Sequence, residues 1–136
     1  MAKSLRLEIV TPETTVYSEE VDMVTMQGIE GQMGILPEHV RLMTKSVLGE
    51  MIVHKDGKDD VLALGEGIVE ITGDRVAVVT DMAIKAKNID EAEIEEARKR
   101  AAARLREKLS AEEAASVNAS LARSLAQLRV KRRRRN

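Results

Sequence analysis

The hydrophobic period of the chain changes once, near residue 88, and this change constrains the fold more than any other feature. Before it, Leu5, Leu7 and Ile9 alternate with polar residues, which predicts a strand with one buried face. Further short apolar runs flank the pairs Asp56-Gly57 and Gly73-Asp74, which are strong β-hairpin signals. Short strands with frequent turns indicate an antiparallel β-sandwich or barrel over residues 1–87.

Residues 88–136 follow a helical period instead. Asp90 with Glu93, and Ser110 with Glu113, form two capping-box patterns, so two helices are predicted. Apolar residues recur at steps of three and four along both segments: Ile94, Ala97, Ala101, Leu105 and Leu109, then Ala114, Val117, Leu121, Leu125 and Leu128. Each helix is expected to have about 20 residues, and a tight link predicts an antiparallel hairpin. Because alanine-rich stripes bury little area, we expect the hairpin to be held weakly.

The composition excludes several classes of function. The chain has no cysteine, so a disulfide scaffold, a thiolate metal site and a cysteine nucleophile are excluded. It has one tyrosine and no phenylalanine or tryptophan, which disfavours a module that stacks bases on aromatic side chains. No apolar run approaches the roughly 20 residues of a membrane span, and the N-terminus has no signal-peptide pattern. These features favour a soluble cytoplasmic protein.

No catalytic, metal or cofactor motif is present in the sequence. His39 and His54 belong to no motif with a serine or cysteine, and neither a phosphate-binding loop nor the H-E-x-x-H spacing occurs. The glycines Gly28, Gly31 and Gly34 do not form a dinucleotide fingerprint. The acidic residues 90–96 fall in a first helical turn, where they offset the helix dipole rather than form a metal site. We therefore expect no enzymatic activity, no metal and no cofactor.

The charge of the chain is unevenly distributed. Residues 1–88 carry 9 Lys/Arg and 15 Asp/Glu, whereas residues 89–136 carry 13 and 8, although the whole chain has a formal net charge of -1. The run Lys131–Arg135 is the most basic segment, and such a run can bind nucleic acid, an anionic membrane or an acidic protein surface. It can equally be a solvated end without a specific partner. The opposite net charges of residues 1–88 and residues 89–136 suggest two functional parts.

The segment Gly28–Thr44, GIEGQMGILPEHVRLMT, resembles the fingerprint of the epsilon subunit of the bacterial F-type ATP synthase. The segments Leu64–Glu70, Ile89–Ala92 and Ala126–Val130 continue the resemblance in the same order, so it covers nearly the whole chain. Three residues depart from the pattern: Glu38 and Glu66 stand where glycine is usual, and Arg41 where proline is usual.

This resemblance implies a ten-stranded β-sandwich followed by a two-helix hairpin. It implies a non-catalytic rotor subunit of the central stalk in a proton- or sodium-translocating ATP synthase. The sandwich would bind the gamma subunit and the ring of c subunits, at the cytoplasmic face of the membrane, peripherally and without spanning it. The residues implied to contact the c-ring are Glu30, Gly31, Gln32, Met33, His39, Arg41 and Leu42.

The resemblance further implies that the C-terminal helices inhibit ATP hydrolysis by inserting between the alpha and beta subunits. The residues implied to make these contacts are Arg98, Arg100, Arg104, Arg123, Arg129 and Arg132. Some members bind ATP through an I-D-x-x-R-A motif, but Glu93 stands in place of the arginine and repels phosphate. No nucleotide site is therefore expected, with Asp90 the one candidate residue.

The alternative interpretation is a β-sandwich adaptor that binds nucleic acid through its basic C-terminal run. Steep salt dependence of binding to bare nucleic acid would favour it. The family resemblance predicts no nucleic-acid partner.

Overall fold

The computed structural model describes residues 4–135, with side chains through residue 133. Within these residues the chain forms ten β-strands, a short 3₁₀ turn at Ala86–Asn88 and two α-helices, so the predicted fold class is confirmed. The strands are β1 Leu5–Val10, β2 Thr15–Val21, β3 Met23–Gly28, β4 Gly31–Ile35, β5 His39–Ser46, β6 Gly49–Lys55, β7 Lys58–Leu64, β8 Gly67–Gly73, β9 Arg75–Thr80 and β10 Ala83–Lys85. The helices are α1 Glu91–Arg104 and α2 Ala111–Arg135. The chain divides after Lys85 into two compact units.

The strands of the first unit form one folded sheet in the order β10-β7-β6-β3-β5-β8-β9-β1-β2, with β4 paired to β3. The pairing of β1 with β9 is parallel, and the other pairings are antiparallel. Between its two halves, β3 and β5 share only the residue pair Gly28 and Ser46. The sheet can therefore turn at this point and place one half over the other.

The core lies between the two halves of the sheet. Every second residue of β1 is fully buried, as the alternating pattern predicts. Both halves contribute to one cluster, which includes Leu5, Leu7, Ile9, Val24, Met26, Ile35, Met51, Val53, Leu62, Leu64, Val69, Ile71, Val76 and Val78. Aliphatic side chains and methionine therefore fill the space that aromatic residues often occupy.

Tyr17 is the single aromatic residue, and it belongs to this core. Only 4% of its surface is exposed, and the amino group of Lys85 lies 5.2 Å from the ring centroid. Burial, together with the negative charge and hydrogen bond of Glu19, raises the pKa of the Tyr17 hydroxyl above its ordinary value. The Tyr17 hydroxyl therefore stays protonated throughout the physiological range.

Both predicted hairpins are confirmed. Asp56 and Gly57 join β6 to β7 with φ angles of 51° and 75°, the two positive values that a type I′ turn requires. Gly73 and Asp74 lie at the connection of β8 to β9, which pair in antiparallel register. The turn chemistry of the sequence therefore fixes these strand pairs.

The two helices differ in length from the expectation of about 20 residues each. Helix α1 has 14 residues and α2 has 25. Helix α1 ends early because Arg106 N–H bonds to Ala103 O and Glu107 N–H to Arg104 O, a tighter turn than an α-helix makes. The capping box of Ser110 and Glu113 is formed in both directions, at 3.1 and 3.4 Å, and starts α2. Helix α2 then continues through the basic run.

Candidate functional site

The β3–β4 turn and strand β5 enclose a concave site of about 420 Å³. The residues that line it are Ile29, Glu30, Gly31, Gln32, Met33, Leu42, Met43 and Thr44. Most of the predicted c-ring residues therefore lie together, although they come from two separate segments of the sequence. His39 and Arg41, at the start of β5, are not part of the lining.

The β3–β4 turn depends on the backbone of Gly31. This residue pairs with Gly28 across the turn and has a φ of 123°, which L side chains rarely adopt. A Cβ atom placed on Gly31 would meet no atom within 4 Å. The glycine is therefore required by backbone conformation rather than by space.

The Pro37-Glu38 turn carries the chain from β4 into β5. Glu38 has a φ of 65°, and its backbone N–H donates to Asp74 Oδ1 at 3.1 Å. Proline followed by a residue with positive φ is the arrangement of a type II turn, in which glycine is preferred at the second position. This geometry explains why glycine is usual at this position in the pattern that the sequence resembles.

A β-bulge follows this turn at the start of β5. The register with β8 shifts between His39 and Leu42, so Val40 and Arg41 lack cross-strand partners. His39 Nδ1 donates to the carbonyl oxygen of Val40 at 2.6 Å, while the Val40 side chain is 80% exposed. The bulge therefore points an apolar side chain into solvent beside the predicted c-ring residues.

An exposed apolar row crosses strands β8, β9 and β1. Ile68 is opposite Val79, and Val79 is opposite Val10. Ile68 is 52% exposed and Val79 60%, which is unusual for neighbouring branched aliphatic side chains. We call these three residues the outer apolar row. Alternation alone does not predict this row. Its sequence signal is a pair of adjacent apolar residues, Ile68-Val69 on β8 and Val78-Val79 on β9, which places an apolar side chain on the outer face of each strand as well as on the inner face.

Most of the predicted inhibitory arginines are paired within the helical unit. Arg98 pairs with Glu95, Arg104 with Glu107 and Glu113, Arg123 with Ser120, and Arg132 with Glu91 and Glu95. Arg100 and Arg129 are exposed and make no ion pair with any side chain that the structure describes. These two are therefore available to a partner in the folded hairpin.

The basic run contributes a clasp that joins the end of α2 to the start of α1. Arg132 Nε lies 2.7 Å from Glu91 Oε1, and its Nη2 lies 3.1 Å from Glu95 Oε2. Lys131 Nζ donates to the carbonyl oxygen of Ala86 at 3.1 Å. Hydrogen bonds from Arg98 and then Arg132 hold the pKa of Glu95 below its ordinary value. Lys131 and Arg132 are thus paired within the helical unit, and nothing in the local sequence signals the pairing.

Asp90 acts as the N-cap of α1, since its Oδ1 accepts a hydrogen bond from the Glu93 N–H at 3.2 Å. The expectation that it binds no nucleotide stays a prediction. Within residues 4–135 no three acidic, histidine or cysteine side chains are grouped as metal ligands.

His54 has partners that the sequence did not reveal. Its Nδ1 donates to Asp59 Oδ1 at 2.7 Å, and its Nε2 lies 3.1 Å from Thr25 Oγ1. None of these residues lines the concave site. The three side chains cross-link strands β3, β6 and β7, which is a structural role.

No helix in the described part of the chain is both long and apolar enough to cross a membrane.

The fold and its exposed surfaces define a class of protein: a β-sandwich with an apolar outer row, followed by an ion-paired helical hairpin. Residues 4–86 match the family ATP synthase, Delta/Epsilon chain, beta-sandwich domain.

The chain is similar to ATP synthase epsilon chains of several bacteria. It is 44% identical over 136 residues to that of Dehalococcoides mccartyi, covering 99% of this chain and 96% of the relative. It is 40% identical over 132 residues to that of Herpetosiphon aurantiacus, covering 97% of each. The chain therefore belongs to the ATP synthase epsilon-chain family, and the family predicted from the sequence is confirmed.

Two solved structures share the fold. One chain in the OSCP/F1/c-ring structure of the Euglena gracilis mitochondrial ATP synthase has a TM-score of 0.68 at 22% identity, covering 92% of this chain and 78% of that one. A chain in the central stalk/c-ring structure from Tetrahymena thermophila has a TM-score of 0.57 at 10% identity, covering all of both chains. The fold is thus retained at low sequence identity.

Proposed function

We propose that the chain is the non-catalytic central-stalk subunit of an F-type ATP synthase, where it couples the gamma subunit to the c-ring. It would work at the cytoplasmic face of the membrane as a peripheral subunit, with its helical unit inhibiting ATP hydrolysis. The observation that carries the proposal is the exposed apolar surface on a rigid sandwich, in a chain that belongs to the epsilon family. A rotor coupling part needs such a rigid body with shaped contact surfaces.

The outer apolar row is proposed as the gamma-binding surface. Ile68, Val79 and Val10 lie on neighbouring strands, so their side chains form one continuous contact area rather than isolated spots. Covering this area would remove apolar surface from water at roughly 25 cal/mol per Å². An obligate partner explains why such residues are tolerated on an outer face.

The concave site and the neighbouring bulge are proposed as the c-ring contact. The proposed residues are Glu30, Gly31, Gln32, Met33, His39, Arg41 and Leu42. The β3–β4 turn and the bulge at Val40 each present side chains beyond the sheet, as a contact to a neighbouring ring of loops requires.

The helical unit is proposed as the inhibitory element. Arg100 and Arg129 can contact acidic groups of the alpha and beta subunits while the hairpin remains folded. Arg104 and Arg132 pair across the two helices and would be released when the helices separate. Arg98 and Arg123 pair within their own helices and would exchange those partners for groups of the catalytic subunits. The unit would then have two states, with pairing inside the hairpin exchanged for pairing with the catalytic subunits.

Truncation after Lys87 tests the inhibitory role in the assembled complex. The truncated chain should still assemble, and ATP hydrolysis should rise because the inhibitory element is gone. The double variant Arg100→Gln/Arg129→Gln should raise hydrolysis part of the way, whereas Lys58→Gln, which removes a cation from the β6–β7 turn, should not. Unchanged hydrolysis in the truncated complex would contradict the proposal.

The absence of cysteine allows the two contact surfaces to be tested by cross-linking. Gln32→Cys should cross-link to the c subunit and Ile68→Cys to gamma when each carries a short bifunctional reagent. Asp59→Cys, on the β6–β7 hairpin, is the matched control and should give neither product. If Gln32→Cys gives no product with the c subunit and Ile68→Cys gives none with gamma, this arrangement is excluded.

A further inference from the structure

The helical hairpin has a loop end and an open end, and different forces hold the helices together at each. At the loop end, residues 105–110 connect α1 to α2, so the chain itself keeps the helices close. At the open end α1 begins and α2 ends, and no loop joins these two points to each other. Noncovalent contacts at the open end therefore decide whether α2 stays on α1.

Burial in the helical unit is concentrated at the open end. Helix α1 itself has no buried residue. The buried apolar residues between positions 86 and 133 are Ala86, Ile89, Val117, Ala126, Leu128 and Val130. Five of these six lie either in residues 86–89 or in the C-terminal half of α2. The open end is therefore the better packed part of the unit.

The clasp supplies polar contacts at the same end. Arg132 spans two carboxylates one helical turn apart, at 2.7 Å from Glu91 and 3.1 Å from Glu95. Lys131 donates to the carbonyl oxygen of Ala86 at 3.1 Å. Two consecutive residues of α2 thus hold both the first turns of α1 and the 3₁₀ turn that precedes it.

The ion pair that links the helices at the loop end has a longer and more solvated geometry. Arg104 lies 3.6 Å from Glu113, and both side chains are more than half exposed. The two carboxylates of the clasp are each only 25% exposed. Because water and salt screen exposed pairs most, the loop-end pair opposes separation less than the clasp does.

We propose that the clasp is a latch that keeps the hairpin closed and thereby restrains inhibition of ATP hydrolysis. The proposal rests on the proposed function, because Arg104 and Arg132 can reach the catalytic subunits only after the helices separate. It gives the pairing of Arg132 an effect opposite to inhibition: loss of its partners on α1 should favour the inhibited state. Glu91 is the residue to change, since it is not a proposed contact of the catalytic subunits.

The test compares two variants that remove the same charge from the first turn of α1. Glu91→Gln removes the carboxylate at 2.7 Å from Arg132. Glu93→Gln is the matched control, because Glu93 is exposed and makes no ion pair with any side chain that the structure describes. Both variants lose a negative charge that favours the N-terminus of the helix, so they differ mainly in the clasp.

Amide hydrogen exchange of the free full-length chain measures opening of the latch directly. In Glu91→Gln, amides of residues 86–98 and 124–133 should exchange about threefold faster than in Glu93→Gln, since exchange reports the open fraction and an exposed ion pair contributes modestly. Equal exchange in the two variants would show that the clasp does not hold the helices and would overturn the proposal.

ATP hydrolysis by the assembled complex measures the consequence. Glu91→Gln should lower hydrolysis relative to both the wild-type chain and Glu93→Gln, because more of the hairpin is open and able to inhibit. Truncation after Lys87 should have the opposite effect and raise hydrolysis. The two perturbations of one helical unit are thus expected to differ in sign.

A charge exchange keeps the test valid if Glu91→Gln also loosens α1 itself. Glu91→Arg places like charges together and should accelerate exchange more than Glu91→Gln does. Adding Arg132→Glu to Glu91→Arg restores opposite charges across the helices and should slow exchange again. If the second substitution does not slow exchange, position 91 acts within α1 alone and the latch is refuted.

The remaining outcomes separate this proposal from the proposed function. If truncation raises hydrolysis but Glu91→Gln leaves it unchanged or raises it, the inhibitory role stands and the latch is overturned. If truncation leaves hydrolysis unchanged, the inhibitory role fails and the latch fails with it. Faster exchange together with lower hydrolysis in Glu91→Gln, but not in Glu93→Gln, supports both.

Discussion

Replacing Glu38 by glycine should stabilise the sandwich, although the substitution deletes a side chain. Glu38 has a φ of 65°, in the left-handed region that costs a residue with a Cβ atom roughly 1–2 kcal/mol. Glycine adopts this conformation freely, but it loses more backbone entropy on folding, at a cost of about 0.4–1 kcal/mol. The substitution should therefore raise the free energy of unfolding by about 0.5–1 kcal/mol.

This gain should be visible as a higher unfolding temperature. For a unit of this size, the gain corresponds to an increase of roughly 2–8 °C in the sandwich transition. Differential scanning calorimetry of the full chain measures it directly. The backbone N–H that donates to Asp74 remains in the variant, so that contact is not lost.

Glu38→Ala is the control that isolates the backbone contribution. It removes the same carboxylate but keeps a Cβ atom, so it should not show the gain. If the alanine and glycine variants have equal transition temperatures, the left-handed conformation of Glu38 does not cost stability, and the reasoning is refuted.

Three further predictions concern the rest of the chain. Gly67→Ala should destabilise the sandwich by roughly 2–3 kcal/mol in urea unfolding, because the added Cβ would lie 2.1 Å from the carbonyl oxygen of Val79; a cost below 1 kcal/mol would show that β8 and β9 separate easily. The ion pairs of Glu95 should lose their contribution to helix stability as the pH falls below the ordinary carboxyl pKa of 4.5 and through its lowered value in the folded state; helical circular dichroism of Glu95→Gln should lack this component of the acid transition. Titration calorimetry should detect no tight ATP binding to the free chain, because Glu93 stands where the motif has arginine and the Asp90 carboxylate already caps α1; tight binding would contradict this expectation.

The elements that the sequence predicted best are those fixed by local rules. The Asp56-Gly57 turn and the Ser110 capping box each depend on a few adjacent residues, and both are formed as expected. The alternation of Leu5, Leu7 and Ile9 likewise identifies a buried strand face without knowledge of its neighbours. The lengths of the helices were less accurate, because the end of α1 depends on a turn whose residues have no strong breaker among them.

The features that the sequence did not reveal depend on partners distant in the chain. Arg132 meets Glu91 and Glu95 only because α2 is long enough to return to the start of α1. Read alone, the basic run indicated a solvated end or a site for nucleic acid, an anionic membrane or an acidic protein surface. In the structure Lys131 and Arg132 instead pair with groups of the same helical unit. Five of the eight residues that line the concave site were named through the family resemblance as c-ring contacts, and that role stays a prediction. The outer apolar row could be recognised only from the strand register.

The position of Tyr17 gives the molecule a natural optical reporter. Since the chain has no tryptophan, tyrosine emission comes from this one ring, and that ring is buried in the sandwich core. Far-ultraviolet ellipticity, in contrast, is dominated by the helices of the second unit. Loss of the helical signal without a change in tyrosine emission would identify a state in which the hairpin has melted while the sandwich remains intact. The stability of each unit can therefore be followed in a single unlabelled sample.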